Sequence, residues 1–93
     1  MEIKQGIQRF YMLDGNKEIG EVTFTEEHPL VLSINHTYVD PHYRGKHIAK
    51  QLIQAVVDLA VKEHKTIDPV CSYAKAWFQR NESAQAILYK KKP

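Results

Sequence analysis

Tyr38-Val-Asp-Pro-His-Tyr-Arg-Gly-Lys-His-Ile-Ala-Lys-Gln-Leu52 joins the end of an apolar, strand-like run to a Pro turn, a basic Gly-containing segment and the start of an amphipathic helix. A strand that stops just before a helix aims unpaired backbone N–H groups, and the positive end of the helix dipole, at one point in space. Arg44, Lys46 and His47 add side-chain cations around that point. The simplest ligand for such an arrangement is a phosphate or pyrophosphate.

Outward from this segment the pattern alternates between strand and helix. Residues 8–13 read as a strand, and Asp14-Gly15-Asn16 as a hairpin turn, because Gly and Asn tolerate positive φ. Residues 17–24 form the partner, with Gly20, Val22 and Phe24 on one face. Glu26-Glu-His-Pro29 is expected to break the sheet. Residues 30–39 give a central strand, with Leu30, Leu32, Ile34, His36 and Tyr38 on one side and Val31, Ser33, Asn35, Thr37 and Val39 on the other. A helix is predicted from Gly45 or His47 to Glu63, its apolar face made by Ile48, Leu52, Ile53, Ala55, Val56, Leu59 and Ala60. Thr66-Ile-Asp-Pro-Val-Cys71 reads as a short strand that Pro69 places near an edge or bulge. A second helix over residues 72–79 is expected to bury Tyr73, Ala76 and Trp77 or Phe78, with Asn81 as a cap before a final short helix. This order predicts an α/β or α+β fold with a mixed sheet.

Ninety-three residues without repeat, low-complexity tract or linker predict a single domain. A formal net charge of +2 does not favour general nucleic-acid or membrane binding, and Lys90-Lys-Lys92 reads as a solvated basic tail. One cysteine excludes an internal disulfide, and no apolar run approaches the roughly 20 residues of a membrane span. The first residues lack the apolar core of a signal peptide, so a reduced, cytoplasmic setting is expected.

The residues resemble the GNAT superfamily of acetyl-CoA dependent N-acetyltransferases, and its very small members in particular, from about Gln8 to Asn81. That family's pyrophosphate loop, R/Q-x-x-G-x-G/A, is matched at Arg44 and Ala49, while His47 replaces the middle glycine. Gly45 and the preceding Val39-Asp-Pro-His-Tyr43 look like the family's lead-in, and Cys71-Ser-x-x-x-x-Trp-Phe78 resembles the small subfamily. A Rossmann fingerprint and a Walker loop are both absent. The resemblance implies a minimal, mostly antiparallel mixed sheet with two or three helices. It implies that Tyr38 and Val39 pair with the pantetheine arm. It also implies that Arg44, Gly45, Lys46, His47, Ile48 and Ala49 hold the pyrophosphate of acetyl-CoA, the acyl donor, with no metal.

The acceptor amine must be neutral when it attacks, so a base is needed. Cys71, where a strand gives way to a helix N-terminus that favours negative charge on sulfur, is the candidate for an acyl-cysteine or for lining the acetyl pocket. His36 is the candidate base, with Asn35 or Thr37 as alternatives. Larger relatives place N-x-x-A followed by Leu-Tyr in the last helix, the Tyr protonating the departing thiolate. Asn81 and Ala84 fit that pattern, and Asn81 is counted with the cofactor residues. Tyr89 falls one residue late, a rotation of about 100° on a helix, so Tyr73 is the substitute. The tight turn at Gly15 stands where larger members insert two helices, which favours an exposed acceptor such as a protein or peptide amine or a polyamine. Glu21, Glu26 and Glu27 are acidic residues available to attract one. A monomer or weak homodimer is expected. A CoA-binding module without catalysis, and a basic nucleic-acid or protein interaction module using Lys46, Lys50 and the terminal lysines, are the alternatives.

Overall fold

A computed structural model describes residues 1–90. In chain order they form β1 (Glu2–Gly6), β2 (Arg9–Asp14), β3 (Lys17–His28), β4 (Val31–Val39), α1 (Ile48–Lys62), β5 (Thr66–Pro69) and α2 (Ser72–Arg80). Short 3-10 helices occupy Pro41–Tyr43 and Glu82–Ile87. The strands make one sheet in the order β1-β2-β3-β4-β5, antiparallel except for the parallel pair β4 and β5. This is the mixed, mostly antiparallel α+β architecture expected from the sequence. The terminal Lys91 and Lys92 lie outside the described residues.

Register explains which face is buried. Phe10 lies opposite Val22, Met12 opposite Gly20 and Phe24 opposite Ile34, so these residues share one face of the sheet. Helix α1 covers that face with Ile48, Leu52, Ile53, Val56, Val57 and Ala60. Full burial of side chains of this size stabilises a fold by about 1.5–3 kcal/mol each. Gly20 sets how closely the helix approaches, since a Cβ there would sit 3.0 Å from Ile48 Cγ2 and 3.2 Å from Leu52 Cδ1. The helix ends in a Schellman pattern: Lys65 N–H donates to Ala60 O, His64 N–H donates to Val61 O, and His64 takes the left-handed conformation at φ 57°.

Four local expectations change. Strand β1 carries too weak an apolar pattern to announce itself, yet it pairs along β2 and brings Ile3 onto the core. Glu26–His28 stay in β3 and do not break the sheet, because Thr25 and His28 still find partners in Ser33 and Val31 across an irregular step. Residue Leu30 therefore belongs to the turn and is exposed. In α2 the buried set is Ala74, Trp77 and Phe78, at helical spacing i, i+3 and i+4, which rotates Tyr73 outward to 40% exposure. Finally, Asn81 holds the cap position between α2 and the 3-10 helix as expected, but its side chain serves the α2 end, the amide donating to Trp77 O at 2.7 Å, and makes no bond to the 3-10 helix.

The strict two-residue alternation expected for β4 also fails, at one place. Thr23 pairs with His36 and Phe24 with Ile34, so Asn35 is an extra residue, a β-bulge. Before it, Leu32 and Ile34 face α1. Beyond it Thr37, opposite buried Val22, and Val39, which packs on the core, take over that face, while His36 and Tyr38 are exposed. The parallel pairing with β5 stops at the same point, covering only Val31 to Ile34 of β4. There the amides of both Val70 and Cys71 donate to Ile34 O at 3.0 Å. Residues 35–39 run on with no strand beside them on that edge.

Candidate active site

The edge left open by β5 forms one wall of a cleft of about 400 Å³, with Thr37, Tyr38 and Val39 on that wall. The opposite wall is the segment between β4 and α1 together with Ile48 and Ala49, and Tyr73 of α2 closes one end. The loop is held from below. Asp40 Oδ1 accepts the His42 N–H at 2.9 Å, which drives the Asp40 carboxyl below its usual range, with Lys17 at 3.5 Å contributing. Tyr43 Oη donates to Asp14 Oδ2 at 2.6 Å, tying the loop to the β2–β3 hairpin and raising the phenol above its ordinary value.

Two residues of the loop take left-handed backbone conformations, Gly45 at φ 83° and His47 at φ 60°. The position where the family motif carries glycine does need positive φ, and here an L side chain occupies it, at a cost of roughly 1–2 kcal/mol. His is among the residue types enriched in that region, which is the physical reason the replacement is tolerated. Helix α1 begins immediately after. Its first main-chain bond at this end is Gln51 N–H to His47 O at 3.1 Å, so the amides of residues 48–50 have no helical acceptor. Arg44 and Lys46 are exposed and form no ion pair among the described residues. Uncommitted amides, a helix dipole and the Arg44 guanidinium converge on one cleft, as an anion site requires, while the Lys46 ammonium lies over the Tyr43 ring.

Cys71 sits at the parting of β4 and β5. Its sulfur caps α2 by accepting the Ala74 N–H at 3.4 Å and lies 3.5 Å from Thr37 Oγ1. The side chain is half-buried, and Thr37 links it to the cleft. His36 stands on the outer side of the bulge, exposed and in register with Thr23; no hydrogen bond among the described residues joins it to Cys71. Asn81 does not line the cleft; it lines a second depression together with His47, Lys50 and Tyr73. Tyr89 is distant from the cleft: its amide donates to Ile67 O and its ring packs 6.0 Å from that of His28. Tyr73, expected in the core, lines the cleft together with Tyr38 and Tyr43, and partial burial raises its phenol while Arg80 lowers it.

Three contributors were not identified from sequence alone. Thr37 had been only an alternative to His36, Tyr43 carried no role, and the bulge at Asn35 left no compositional trace. Among the described residues no cluster of His, Cys, Asp and Glu is arranged to hold a metal ion, and no helix is long and apolar enough to cross a membrane.

A family model described as GCN5-related N-acetyl-transferase matches residues 9–87. The chain belongs to that family, and its fold is that of an acyltransferase. A GCN5-like protein from Staphylococcus aureus, solved in solution, is 32% identical over 98% of this chain and 90% of its own, with a TM-score of 0.79. The ribosomal-protein-S18-alanine N-acetyltransferase from Escherichia coli shares the fold at 16% identity and a TM-score of 0.65, over 82% of this chain and 53% of that one. An aminoglycoside N-acetyltransferase in complex with CoA aligns at 20% identity and a TM-score of 0.57, over 91% of this chain and 75% of its own. A search of curated proteins finds no significant match.

Proposed function

We propose that the protein transfers an acetyl group from acetyl-CoA to an amine, the loop of residues 44–49 holding the pyrophosphate and the open edge of β4 at Tyr38 and Val39 holding the pantetheine arm. The observation that carries this reading is the cleft itself: the unpaired stretch of β4, the left-handed loop and the free N-terminus of α1 face one space of about 400 Å³. Asn81 belongs to the nucleotide end of the site, beyond His47 and Lys50.

The thioester then lies near the parting of the strands, beside Cys71. The sulfur of Cys71 attacks the thioester carbonyl carbon, a new C–S bond forms, the old one breaks with its electrons on the CoA sulfur, and the thiol proton of Cys71 replaces the one that Tyr73 gives to CoA. Tyr73, a cleft phenol kept protonated by burial, supplies the proton that CoA takes. An acceptor ammonium loses one proton, with His36 on the outer face as its base; the neutral nitrogen attacks the acyl carbon, the bond to the Cys71 sulfur breaks, and a second proton leaves the nitrogen to restore the thiol as the amide forms. The Ala74 N–H and the N-terminus of α2 stabilise negative charge on that sulfur each time it leaves.

Titration calorimetry with acetyl-CoA tests the donor site. Saturable binding is expected in the parent protein, and Arg44→Glu, which sets a negative charge against the pyrophosphate, is expected to weaken it by tenfold or more, roughly the worth of one charge-assisted contact. Equal affinity in the two proteins rules out the loop assignment.

A further inference from the structure

Strand β1 closes the sheet on the side away from the donor cleft, and its outer edge has no neighbour among the described residues. Edge strands expose unpaired N–H and C=O groups, and folds usually blunt them with a proline, a bulge, an unmatched charge or a covering segment. The opposite edge is treated this way: β5 ends at Pro69, and the chain returns over it at Leu88, with the Tyr89 amide donating to Ile67 O at 2.8 Å. Strand β1 has none of these devices. It holds no proline and pairs with β2 without a register shift, from Glu2 opposite Leu13 to Gly6 opposite Arg9. Its one cation, Lys4, is already balanced by Glu2 at 3.4 Å.

Pairing rules narrow what fits that edge. Residues directly opposite each other across an antiparallel ladder share a face, so two β1 strands related by a two-fold axis overlap over most of their length only with Ile3 or Lys4 on the axis. Lys4 on the axis sets two ammoniums opposite each other, which is destabilising. Ile3 on the axis sets Glu2 of each copy opposite Lys4 of the other, so the charges that balance within one strand also balance across the joint, twice by symmetry. The apolar contact selects the same register. Ile3 lies opposite Met12 on the face that α1 covers, at the rim of the core and only half-buried, and a second Ile3 beside it carries the core across the joint.

We infer that the protein forms a weak, reversible homodimer in which β1 pairs antiparallel with the β1 of a second copy, Ile3 against Ile3, to make one continuous sheet. Both α1 helices then lie on the same side of that sheet, because the two-fold axis runs perpendicular to it. The donor clefts open toward its two far ends, since β2 and β3 separate β1 from β4, so association leaves the donor site free. A single strand pair is an interface at the small end of the usual range, and its dissociation constant is expected on the order of 0.1 mM.

The test is sedimentation equilibrium of the full chain from about 20 µM to about 1 mM, with amide NMR and hydrogen exchange over the same range. The parent is expected to pass from monomer to dimer, its β1 amides shifting and exchanging more slowly as concentration rises. Glu2→Lys and Lys4→Glu each set like charges opposite one another twice, and each is expected to weaken self-association roughly tenfold or more. An equimolar mixture of the two variants is expected to regain the parent's affinity, because each supplies the charge that the other lacks. Both side chains are exposed, so the amide spectra of the variants are expected to keep the parent's fold. A parent still monomeric at the highest concentration, a Glu2→Lys protein that associates as the parent does, or a mixture no tighter than its components each overturn the proposal. If a variant does not fold, hydrogen exchange of the parent decides: protection that grows with concentration in other segments and not in β1 overturns it as well.

Discussion

His47 holds a left-handed backbone angle of φ 60° directly before α1, with its side chain exposed. Relief of that strain by His47→Gly is expected to raise stability by about 1 kcal/mol, a gain of roughly 4–8 °C in Tm for a domain of this size. The β-branched His47→Val is expected to lower it. A thermal melt in which the glycine variant unfolds below the parent would show that the side chain does more than occupy the turn. Asp40 organises the same loop through its bond from the His42 N–H, and its carboxyl is lowered. Because the folded value is depressed, this contribution is present above the unfolded aspartate range and is lost as pH falls through the folded value. Carboxyl NMR of Asp40 is expected to give a midpoint below that of free aspartate, and Asp40→Asn to remove the acid transition of the loop amides. Cys71 is the residue for which chemistry and capping coincide. Incubation with acetyl-CoA is expected to add one acetyl group in intact mass, absent in Cys71→Ala. No adduct under rapid acid quench would assign Cys71 to lining the pocket only.

At the scale of elements, the loop of residues 44–49 is held in place because α1 is pinned at its N-terminal turn against the sheet. Gly20 makes that possible, since Ile48 and Leu52 press onto the space where a side chain would be. Gly20→Val is expected to cost about 1–3 kcal/mol by overpacking, read from urea denaturation, and to weaken acetyl-CoA binding by shifting the start of α1. A variant as stable as the parent would mean that the helix rides on the sheet more loosely than these contacts imply. The helix itself was legible because apolar residues recur at its period over four turns. Strand β4 was legible as a strand, but its faces were not. A bulge is one residue more on one side of a ladder, and only the partner strand shows which residue is surplus. The same reason accounts for His36. An unbroken alternation put it with Leu32 and Ile34 in the core, whereas the extra Asn35 turns it to the outer face. Tyr73 turned outward in the same sense, because burial of Ala74, Trp77 and Phe78 decides which side of α2 faces the core, and one residue of phase is about 100° of rotation.

For the whole molecule, a ligand that binds only the folded chain stabilises it by mass action. Acetyl-CoA at about one hundred times its Kd is expected to add roughly 2.7 kcal/mol, visible as a rise in Tm that grows with concentration. Arg44→Glu is expected to show a much smaller rise at the same concentration, and an identical rise would separate the stabilisation from the loop. Sequence alone determined the strand, loop and helix around Arg44, the mixed α+β class and the placing of Cys71 before a helix. These are local properties, written in periodicity, turn residues and a motif a few residues long. Tertiary structure alone decided where β4 and β5 part, which face His36 and Tyr73 take, and that Glu18 and Glu21 meet Arg9. Each of those depends on pairing between residues far apart in the chain, and no local pattern encodes a register or the partner that a charge will find.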